Sequence, residues 1–238
     1  MRVLITICGR GGSIGIPKKN IKLLNGKPLI GYSIDFALNL KKEFNADIAL
    51  STDCDEIKNV AENFGLSTKY SRPAYMADSN TGKIEVIRAL LNYEEEKNNH
   101  RYQYIIDLDI TSPLRTIEDV KSAFNKLILN KDALNIFSVS NSNRNPYFNM
   151  VEENDKGYVE LVKNGLTINS RQKAPIVYDL NASFYIYKRE FFEMNLKSVI
   201  TKNSLAFLME HICFDIDEPI DFSIMEHLIK NNLTGISI

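Results

Sequence analysis

The chain has 238 residues, of which 44% are hydrophobic and 25% charged, the balance of an ordinary globular protein. Its formal net charge of −1 at pH 7 argues against a nucleic-acid partner, because such proteins usually carry a strong basic excess. No apolar stretch reaches the length of a membrane span, so we expect no membrane association. The scattered cysteines Cys8, Cys54 and Cys213, together with an N-terminal apolar run too short for a signal peptide, predict a reducing, cytoplasmic location.

The first part of the chain alternates strand-like and helix-like patterns. Val3–Cys8 is continuously apolar and rich in β-branched residues, which is typical of a buried parallel strand. The elements predicted after it are a helix at Pro28–Leu40, a strand at Ala46–Ser51, a helix at Asp55–Phe64, a strand at Leu66–Tyr70, a helix at Lys83–Tyr93, a strand at Tyr104–Ile110, a helix at Ile117–Leu129 and a strand at Ile136–Ser140. This alternation predicts an α/β fold with a doubly wound, mostly parallel sheet and a ligand cleft at the carboxyl ends of its strands.

The alternation stops near Asn141. Asn141–Arg171 is polar and rich in turn residues, which predicts strands and loops outside the sheet. We therefore expect one domain over residues 1–238 with an excursion at about residues 141–185, which forms a dimer contact or covers a site. A long loop without a role is the alternative, although structureless loops of this length are uncommon.

A glycine-rich segment follows the first predicted strand. Its glycines and serine, Gly11, Gly12 and Ser13, allow the backbone N–H groups to approach a ligand, and Arg10, Lys18 and Lys19 add positive charge. This combination suits a triphosphate. The segment is neither a Walker A loop, because no Gly-Lys-Ser/Thr closes it, nor a GxGxxG fingerprint. A glycine-rich turn with solvated lysines is the alternative interpretation.

The last part of the chain contains a candidate metal site. Asn181–Tyr187 and Cys213–Ile216 are predicted to return to the sheet, and Pro219–Asn231 to form a closing helix. Side chains two residues apart on a strand share a face, so Asp215 and Asp217 can converge on one cation. Mg²⁺ prefers one or two carboxylates completed by substrate phosphates. The alternative is that Asp217 caps the helix while Asp215 is solvated.

Six motifs, in order along the chain, resemble those of the acylneuraminate cytidylyltransferase family. They are R-G-G-S-x-G-(x)3-K-N at Arg10–Asn20, N-G-K-P-L at Asn25–Leu29, S-T-D at Ser51–Asp53, Arg72-Pro73 followed by Ala77–Thr81, T-S-P-L-R at Thr111–Arg115, and D-x-D at Asp215–Asp217. The resemblance runs from about Arg2 to about Leu228. Asp107-Leu108-Asp109, together with Asn145–Asn149, resembles the legionaminate-type branch.

The resemblance implies a nucleotide-diphospho-sugar-transferase-like fold and transfer of CMP from CTP to a sialic-acid-like nine-carbon 2-keto sugar acid, with release of pyrophosphate. It also implies a homodimer and Mg²⁺ on Asp215 and Asp217. By position, the phosphates would be held by Arg10, Lys19 and the Gly11, Gly12 and Ser13 backbone; the nucleoside by Asn20, Arg72, Thr81 and Asp109; and the sugar acid by Arg171, Gln172 and Asn181. An Arg fork at position 171 would suit bidentate capture of the sugar carboxylate, and a surface Arg without a ligand is the alternative.

The chain departs from the family at two positions. Ile14 stands where the opening motif usually has Lys, so either Lys18 or Lys19 compensates or the CTP site is weak. Asp109 stands where sialic-acid members usually have Gln, and we expect it to meet the nucleotide ribose or the metal. The rival interpretations are a cytidylyltransferase for Kdo-type sugar acids and a catalytically weak nucleotide-binding homologue.

Overall fold

The structure is a computed structural model that describes residues 1–13, 15–78, 81–163 and 170–238. Ile14, at which the sequence departs from the family motif, lies outside the described residues, as do Ser79 and Asn80. The strands are β1 (Val3–Cys8), β2 (Leu23–Leu24), β3 (Lys27–Pro28), β4 (Ala46–Ser51), β5 (Tyr104–Leu108), β6 (Asn135–Asn141), β7 (Val151–Glu153), β8 (Val159–Leu161), β9 (Tyr178–Lys188) and β10 (Ser204–Leu208). The helices are α1 (Leu29–Phe44), α2 (Asp55–Asn63), α3 (Lys83–Asn98), α4 (Ile117–Leu129), α5 (Arg189–Glu193) and α6 (Pro219–Lys230).

A six-stranded sheet in the order β10-β6-β9-β5-β1-β4 forms the centre of the fold. β4, β1 and β5 run parallel, as do β10 and β6. β9 is antiparallel to both of its neighbours, β5 and β6. The prediction of a mostly parallel α/β sheet is therefore confirmed. The carboxyl ends of β1, β4 and β5 meet at one edge of the sheet, where parallel sheets bind their ligands.

The sheet is covered on both faces, which explains why β1 has no polar side. Ile5 packs in one hydrophobic cluster with Ile34 of α1, while Leu4 packs in a second cluster with Ile87 of α3. Each of these side chains is fully or almost fully buried. Burying one such side chain stabilises a fold by roughly 1.5–3 kcal/mol relative to leaving it in water.

Most predicted elements are confirmed, and two strands are wrong. Leu66–Tyr70 runs beside the end of β4 without joining it: the Thr68 hydroxyl donates to the Leu50 carbonyl at 3.1 Å. Cys213–Ile216 is irregular and pairs with no strand. Its Cys213 carbonyl accepts from the Ser140 hydroxyl, and its Ile216 N–H donates to the Thr111 carbonyl in the loop before α4. The strand that pairs with β6 at this edge is β10, which the sequence analysis missed.

The segment between β6 and β9 leaves the sheet, as its polar composition predicts. Within it, β7 and β8 form an antiparallel hairpin whose residues are mostly exposed. β6 ends at Asn141 and the main sheet resumes at Tyr178, a few residues before the predicted strand at Asn181. Among the described residues, no helix is long and apolar enough to cross a membrane.

A histidine fastens the irregular segment after β10 to α4. Thr116 and Asp119 form a capping box at the start of α4, in which the Thr116 N–H donates to Asp119 Oδ2 at 2.7 Å. His211 Nε2 lies 2.9 Å from the same Asp119 oxygen. The hydrogen bond to Asp119 raises the pKa of His211. Burial alone would raise the pKa of Asp119, but hydrogen bonds from His211 and Thr116 outweigh it and lower that pKa.

This pair predicts a pH-dependent contribution to stability. Because the folded pKa of His211 is raised above its ordinary value of 6.5, the stabilisation is complete below that pH and is lost as the pH rises through the folded pKa. We expect His211→Gln to lower the free energy of unfolding by about 1 kcal/mol at pH 6 and by less at pH 9, measured by urea unfolding. The control is His227→Gln on α6, whose ring contacts Asn231. An equal loss at both pH values would contradict the assignment.

Candidate active site

A cavity of about 700 Å³ opens at the carboxyl ends of β1, β4 and β5. The glycine-rich loop forms one wall, the segment before α3 forms a second, and the loops after β5 and before α6 form the rest. Seven of the residues predicted for nucleotide binding line it: Arg10, Ser13, Lys19, Asn20, Arg72, Thr81 and Asp109. Asp217 lines it as well. The cavity is therefore where the ordered motifs meet.

Hydrogen bonds to neighbouring side chains fix the backbone of the glycine-rich loop. The Gly11 N–H donates to Asp53 Oδ1 at 2.9 Å, and the Asn20 amide donates to the Arg10 carbonyl at 2.9 Å. A Cβ added to Gly11 would lie 2.9 Å from Cys54 Cβ, so a larger residue does not fit there. Gly12 is exposed, with no atom within 4 Å of an added Cβ. The S-T-D motif after β4 thus serves to brace this loop.

The loop touches the acidic segment before α6 directly. A Cβ on Gly15 would lie 2.5 Å from the Asp217 carbonyl oxygen, so only glycine permits this approach. The Lys19 ammonium donates to the Ile216 carbonyl at 2.6 Å and lies 3.2 Å from Asp217 Oδ1. The two motifs, about 200 residues apart in the chain, therefore form one unit.

Asp215 and Asp217 influence each other electrostatically. Burial, and then the neighbouring charge of Asp217, raise the pKa of Asp215. A pair of like charges with one raised pKa is the arrangement that a divalent cation relieves. In the described part of the chain, no group of three or more acidic, His or Cys side chains forms a ready-made metal cage. Two carboxylates beside this glycine-rich loop fit Mg²⁺, which takes its other ligands from substrate and water.

Arg72 and Thr81, which were predicted to bind the nucleoside, line the wall of the cavity before α3. Arg72 is buried, and its guanidinium donates to the Ser51 hydroxyl at 3.0 Å and to the Ser51 carbonyl at 2.8 Å. The Thr81 N–H and hydroxyl both donate to Asp78 Oδ1, at 2.8 and 2.9 Å. The Arg10 guanidinium donates to the Asp78 carbonyl at 2.9 Å, which joins this wall to the glycine-rich loop.

Lys83, which was not among the predicted site residues, also lines the cavity. The Lys83 ammonium is 2.7 Å from Asp107 Oδ2 and 2.6 Å from Asp109 Oδ2. Burial alone would lower the pKa of Lys83, but the two carboxylates raise it well above its ordinary value. Burial would likewise raise the pKa of Asp109, yet Lys83 and the hydrogen bonds from Thr111 lower it to about 2. Both Asp107 and Asp109 therefore have a cationic partner, which offsets the large free-energy cost of burying a carboxylate.

One signal in the sequence could have indicated Lys83. It is the first residue of α3, directly after Gly82, where no side chain caps the helix. A cation at a helix N-terminus opposes the helix dipole, so lysine there needs a compensating partner. The partners lie on and just after β5, more than 20 residues away, and their pairing cannot be read from local spacing.

The T-S-P-L-R motif has a structural role in this fold. Arg115 is buried, and its guanidinium donates to the Ser33 hydroxyl at 2.8 Å, to the Asp109 carbonyl at 2.5 Å and to the Ser183 carbonyl. Burial lowers the pKa of Arg115 to about 10. The motif thereby fixes the backbone that carries Asp109 at the edge of the cavity.

Of the predicted sugar-acid residues, the structure describes the side chains of Asn181 and Gln172, and neither lines the main cavity. The buried Asn181 accepts from the Ser138 hydroxyl at 2.6 Å and donates to the Ser140 hydroxyl at 3.0 Å. Gln172 lies instead at a second cavity of about 370 Å³, beside the excursion. The side chain of Arg171 lies outside the described residues. All three remain predictions as sugar-acid ligands.

The fold is shared with solved nucleotidyltransferases. A solved CMP:2-keto-3-deoxy-manno-octonic acid synthetase in complex with CTP superposes with a TM-score of 0.72 at 16% identity, covering 98% of this chain and all of that one. A 4-diphosphocytidyl-2C-methyl-D-erythritol synthase from Anaerococcus prevotii superposes with a TM-score of 0.66 at 13% identity, over 96% of each chain. At these identities the likeness concerns the fold alone.

Sequence comparison identifies the family. The family model described as "Cytidylyltransferase" matches residues 4–236. The CMP-N,N'-diacetyllegionaminic acid synthase of Campylobacter jejuni is 41% identical over 229 residues, which cover 96% of this chain and 95% of that protein. An N-acylneuraminate cytidylyltransferase of Streptococcus agalactiae is 28% identical over 93% of this chain and 52% of that protein. The chain belongs to the cytidylyltransferase family, and the resemblance stated from its motifs is confirmed.

Burial of Asp215, and then its repulsion from Asp217, predict that this carboxylate reduces stability. Because the pKa of Asp215 is raised from 3.8, its penalty is absent below that pH and grows as the pH rises through the folded pKa. We expect Asp215→Asn to increase the free energy of unfolding at pH 7 by a few tenths to about 1 kcal/mol, a range that allows for solvent screening. Urea unfolding without divalent ions measures it. Asp155→Asn, on the exposed excursion, is the matched control; equal effects would show that only net charge had changed.

Proposed function

We propose that this chain is a CMP-nonulosonate synthetase that transfers CMP from CTP to N-acetylneuraminate or legionaminate and releases pyrophosphate. The observation that carries the proposal is the meeting of the glycine-rich loop and the Asp215–Asp217 segment at one cavity. The 41% identity to a CMP-N,N'-diacetyllegionaminic acid synthase over 96% of this chain supports the acceptor class. The three free thiols support a cytoplasmic site of reaction.

Binding of CTP places a strongly negative triphosphate in a protein with a net charge of −1. The cavity wall therefore supplies local positive charge, from Arg10 and Lys19, beside the backbone of Ser13. Both cations are already fixed by hydrogen bonds, Arg10 to the Asp78 carbonyl and Lys19 to the Ile216 carbonyl. Such fixed groups stabilise developing charge without reorganising during the reaction.

The nucleoside half of CTP fits the wall on the other side of the loop. Asn20, Arg72 and Thr81 line the cavity there, and each is held by contacts to neighbouring backbone or side chains. In this proposal their free polar atoms hold the cytosine and the ribose. Fixed donors of this kind discriminate between bases, because a mismatched base leaves a buried polar group unpaired.

In the reaction, the anomeric hydroxyl of the sugar acid attacks the α-phosphorus, and the bond from that phosphorus to the pyrophosphate oxygen breaks. The chain contributes positioning and electrostatic stabilisation, as in other phosphoryl transfers. Asp109 is a poor acceptor for the hydroxyl proton, because its pKa is about 2. Its part is to orient substrate at the end of β5.

Asp215 and Asp217 are the residues that would hold Mg²⁺. A bound Mg²⁺ neutralises charge on phosphate oxygens and on the departing pyrophosphate. The Lys19 ammonium, 3.2 Å from Asp217 Oδ1, keeps one of these carboxylates oriented towards the loop. The loop and the acids therefore act on the same phosphates.

The direct test is pyrophosphate release with CTP, Mg²⁺ and a panel containing N-acetylneuraminate, legionaminate and a Kdo-type acid. We expect turnover with a nine-carbon acid, and a loss on the order of 10²–10³-fold in Asp217→Asn, since that change removes charge that acts on the transition state. The control Asp155→Asn should retain wild-type turnover. Silence with every nine-carbon acid would refute the proposal, and turnover with only the Kdo-type acid would reassign the substrate.

A homodimer is part of the proposal. Apolar side chains of the excursion are exposed although they are large: Val151, Tyr158, Val159 and Ile176. Clustered apolar exposure of this kind marks an interaction surface. We expect light scattering to give twice the mass of one chain, and Tyr158→Glu to shift it towards a single chain. Leu129→Glu, at an equally exposed position on α4, is the control; a single-chain mass for the wild type would refute the dimer.

A further inference from the structure

Lys83 is a cation in a phosphate-binding cavity, yet its surroundings are unsuited to phosphate. Its ammonium lies between Asp107 Oδ2, at 2.7 Å, and Asp109 Oδ2, at 2.6 Å. One ammonium and two carboxylates carry a combined charge of −1. A phosphate or carboxylate brought to this group meets repulsion, whereas a neutral oxygen does not. Lys83 thus differs from Lys19, whose nearest partner is a backbone carbonyl.

The ammonium of Lys83 and the carboxylate of Asp109 each keep hydrogen-bonding capacity that their contacts do not use. An ammonium has three N–H groups: one donates to Asp109 Oδ2 at 2.6 Å, and the ionic contact with Asp107 engages at most one more. The Asp109 Oδ1 atom accepts from both the N–H and the hydroxyl of Thr111, at 2.9 and 2.8 Å. Asp109 Oδ2 accepts only from Lys83 among these contacts, which leaves one of its two lone pairs. One donor and one acceptor therefore remain side by side.

The free donor and acceptor face the cavity. Lys83 and Asp109 both line it, and their side chains are 31% and 20% exposed, whereas Asp107 is fully buried. The Tyr185 ring covers another side of the ammonium, 5.1 Å from its centre. Thr6 donates to Asp107 Oδ1 at 2.7 Å and so completes the buried end of the group. Among the described residues, these contacts leave the cavity side of the Lys83 ammonium open to a ligand.

We propose, resting on the function proposed above, that Lys83 and Asp109 form a donor–acceptor pair that binds a neutral hydroxyl group of the substrate. Lys83 donates a free N–H to the hydroxyl oxygen, and the hydroxyl donates a hydrogen bond to Asp109 Oδ2 without transferring its proton. Two sources supply this chemistry: the ribose of CTP and the acceptor sugar. Lys83 is thereby a substrate-binding residue and not a phosphate ligand.

The pair also accounts for the carboxylate at position 109. A side-chain amide carries a donor and an acceptor in one group, whereas a carboxylate offers acceptors alone. In this chain Asp109 supplies the acceptor and Lys83 supplies the donor. The two residues together offer what one amide offers alone.

The test removes the donor without leaving a buried charge. Lys83→Met alone would leave Asp107 unpaired and could unfold the protein, so the variant is Lys83→Met with Asp107→Asn. Asp107→Asn alone is the reference, because it keeps the contact between Lys83 and Asp109. Lys97→Met controls for loss of a lysine on the same helix: Lys97 also pairs with a buried carboxylate, that of Glu94, at 2.8 Å. Thermal unfolding confirms that the compared proteins are folded.

Kinetics then identify the source of the hydroxyl. Relative to Asp107→Asn, the double variant should raise one KM about 10-fold or more, the loss of a hydrogen bond to a charged group. A higher KM for CTP but not for 2′-deoxy-CTP or 3′-deoxy-CTP assigns the ribose; a higher KM for the sugar acid assigns the acceptor. Affinity for inorganic triphosphate should not change. Unchanged KM values, or a matching loss of triphosphate affinity, would overturn the proposal.

The outcome separates this proposal from the proposed function. If the wild type releases no pyrophosphate with any sugar acid, the proposed function fails, and calorimetric titration with CTP, its two deoxy analogues and the sugar acids replaces the kinetics. Weaker binding of a hydroxyl-bearing ligand by the double variant than by Asp107→Asn supports the pair in that case as well. Equal binding of every ligand by both proteins overturns it.

Discussion

The guanidinium of Arg115 joins three separate elements of the fold and fixes the backbone of Asp109, which lines the cavity. It is buried and bonds to α1 through Ser33, to β9 through Ser183 and to the end of β5 through the Asp109 carbonyl. These elements come from distant parts of the chain, and the sheet order brings them side by side. Because a buried charge without partners is costly, the three contacts constrain one another and fix the backbone of Asp109.

The cavity is organised before any ligand arrives. Arg10 and Lys19 are bonded to backbone carbonyls, Arg72 to Ser51, and Lys83 to two carboxylates. A chain of nearly neutral net charge thereby gathers positive groups at one edge of its sheet. The cations differ in their partners: Lys19 is bonded to a carbonyl, whereas Lys83 lies between two carboxylates. In the proposals above, this difference in local charge decides whether a cation binds phosphate or a neutral group.

The fold was largely predictable because its signals are local. Continuous apolar runs identified β1 and β4, and helical periodicity identified α4 to the residue. The strand at Cys213–Ile216 was wrong because short apolar runs also occur in irregular segments that pack against a sheet. A strand argument predicted Asp215 and Asp217 as a pair, yet both lie in an irregular segment, and of the two only Asp217 lines the cavity. The pairing of Lys83 with Asp107 and Asp109 was beyond sequence reasoning, since it depends on where α3 meets β5.

The contact between Gly15 and the Asp217 carbonyl joins the two sites of the proposed function. A Cβ at position 15 would lie 2.5 Å from that oxygen, so a side chain there would push the loop and the acidic segment apart. In the proposed function, occupancy of the loop by nucleotide is therefore linked to occupancy of the acids by a cation. By thermodynamic reciprocity, whatever factor one ligand adds to the affinity of the other is returned in full. The missing side chain of a single glycine would in this way couple nucleotide binding to cation binding.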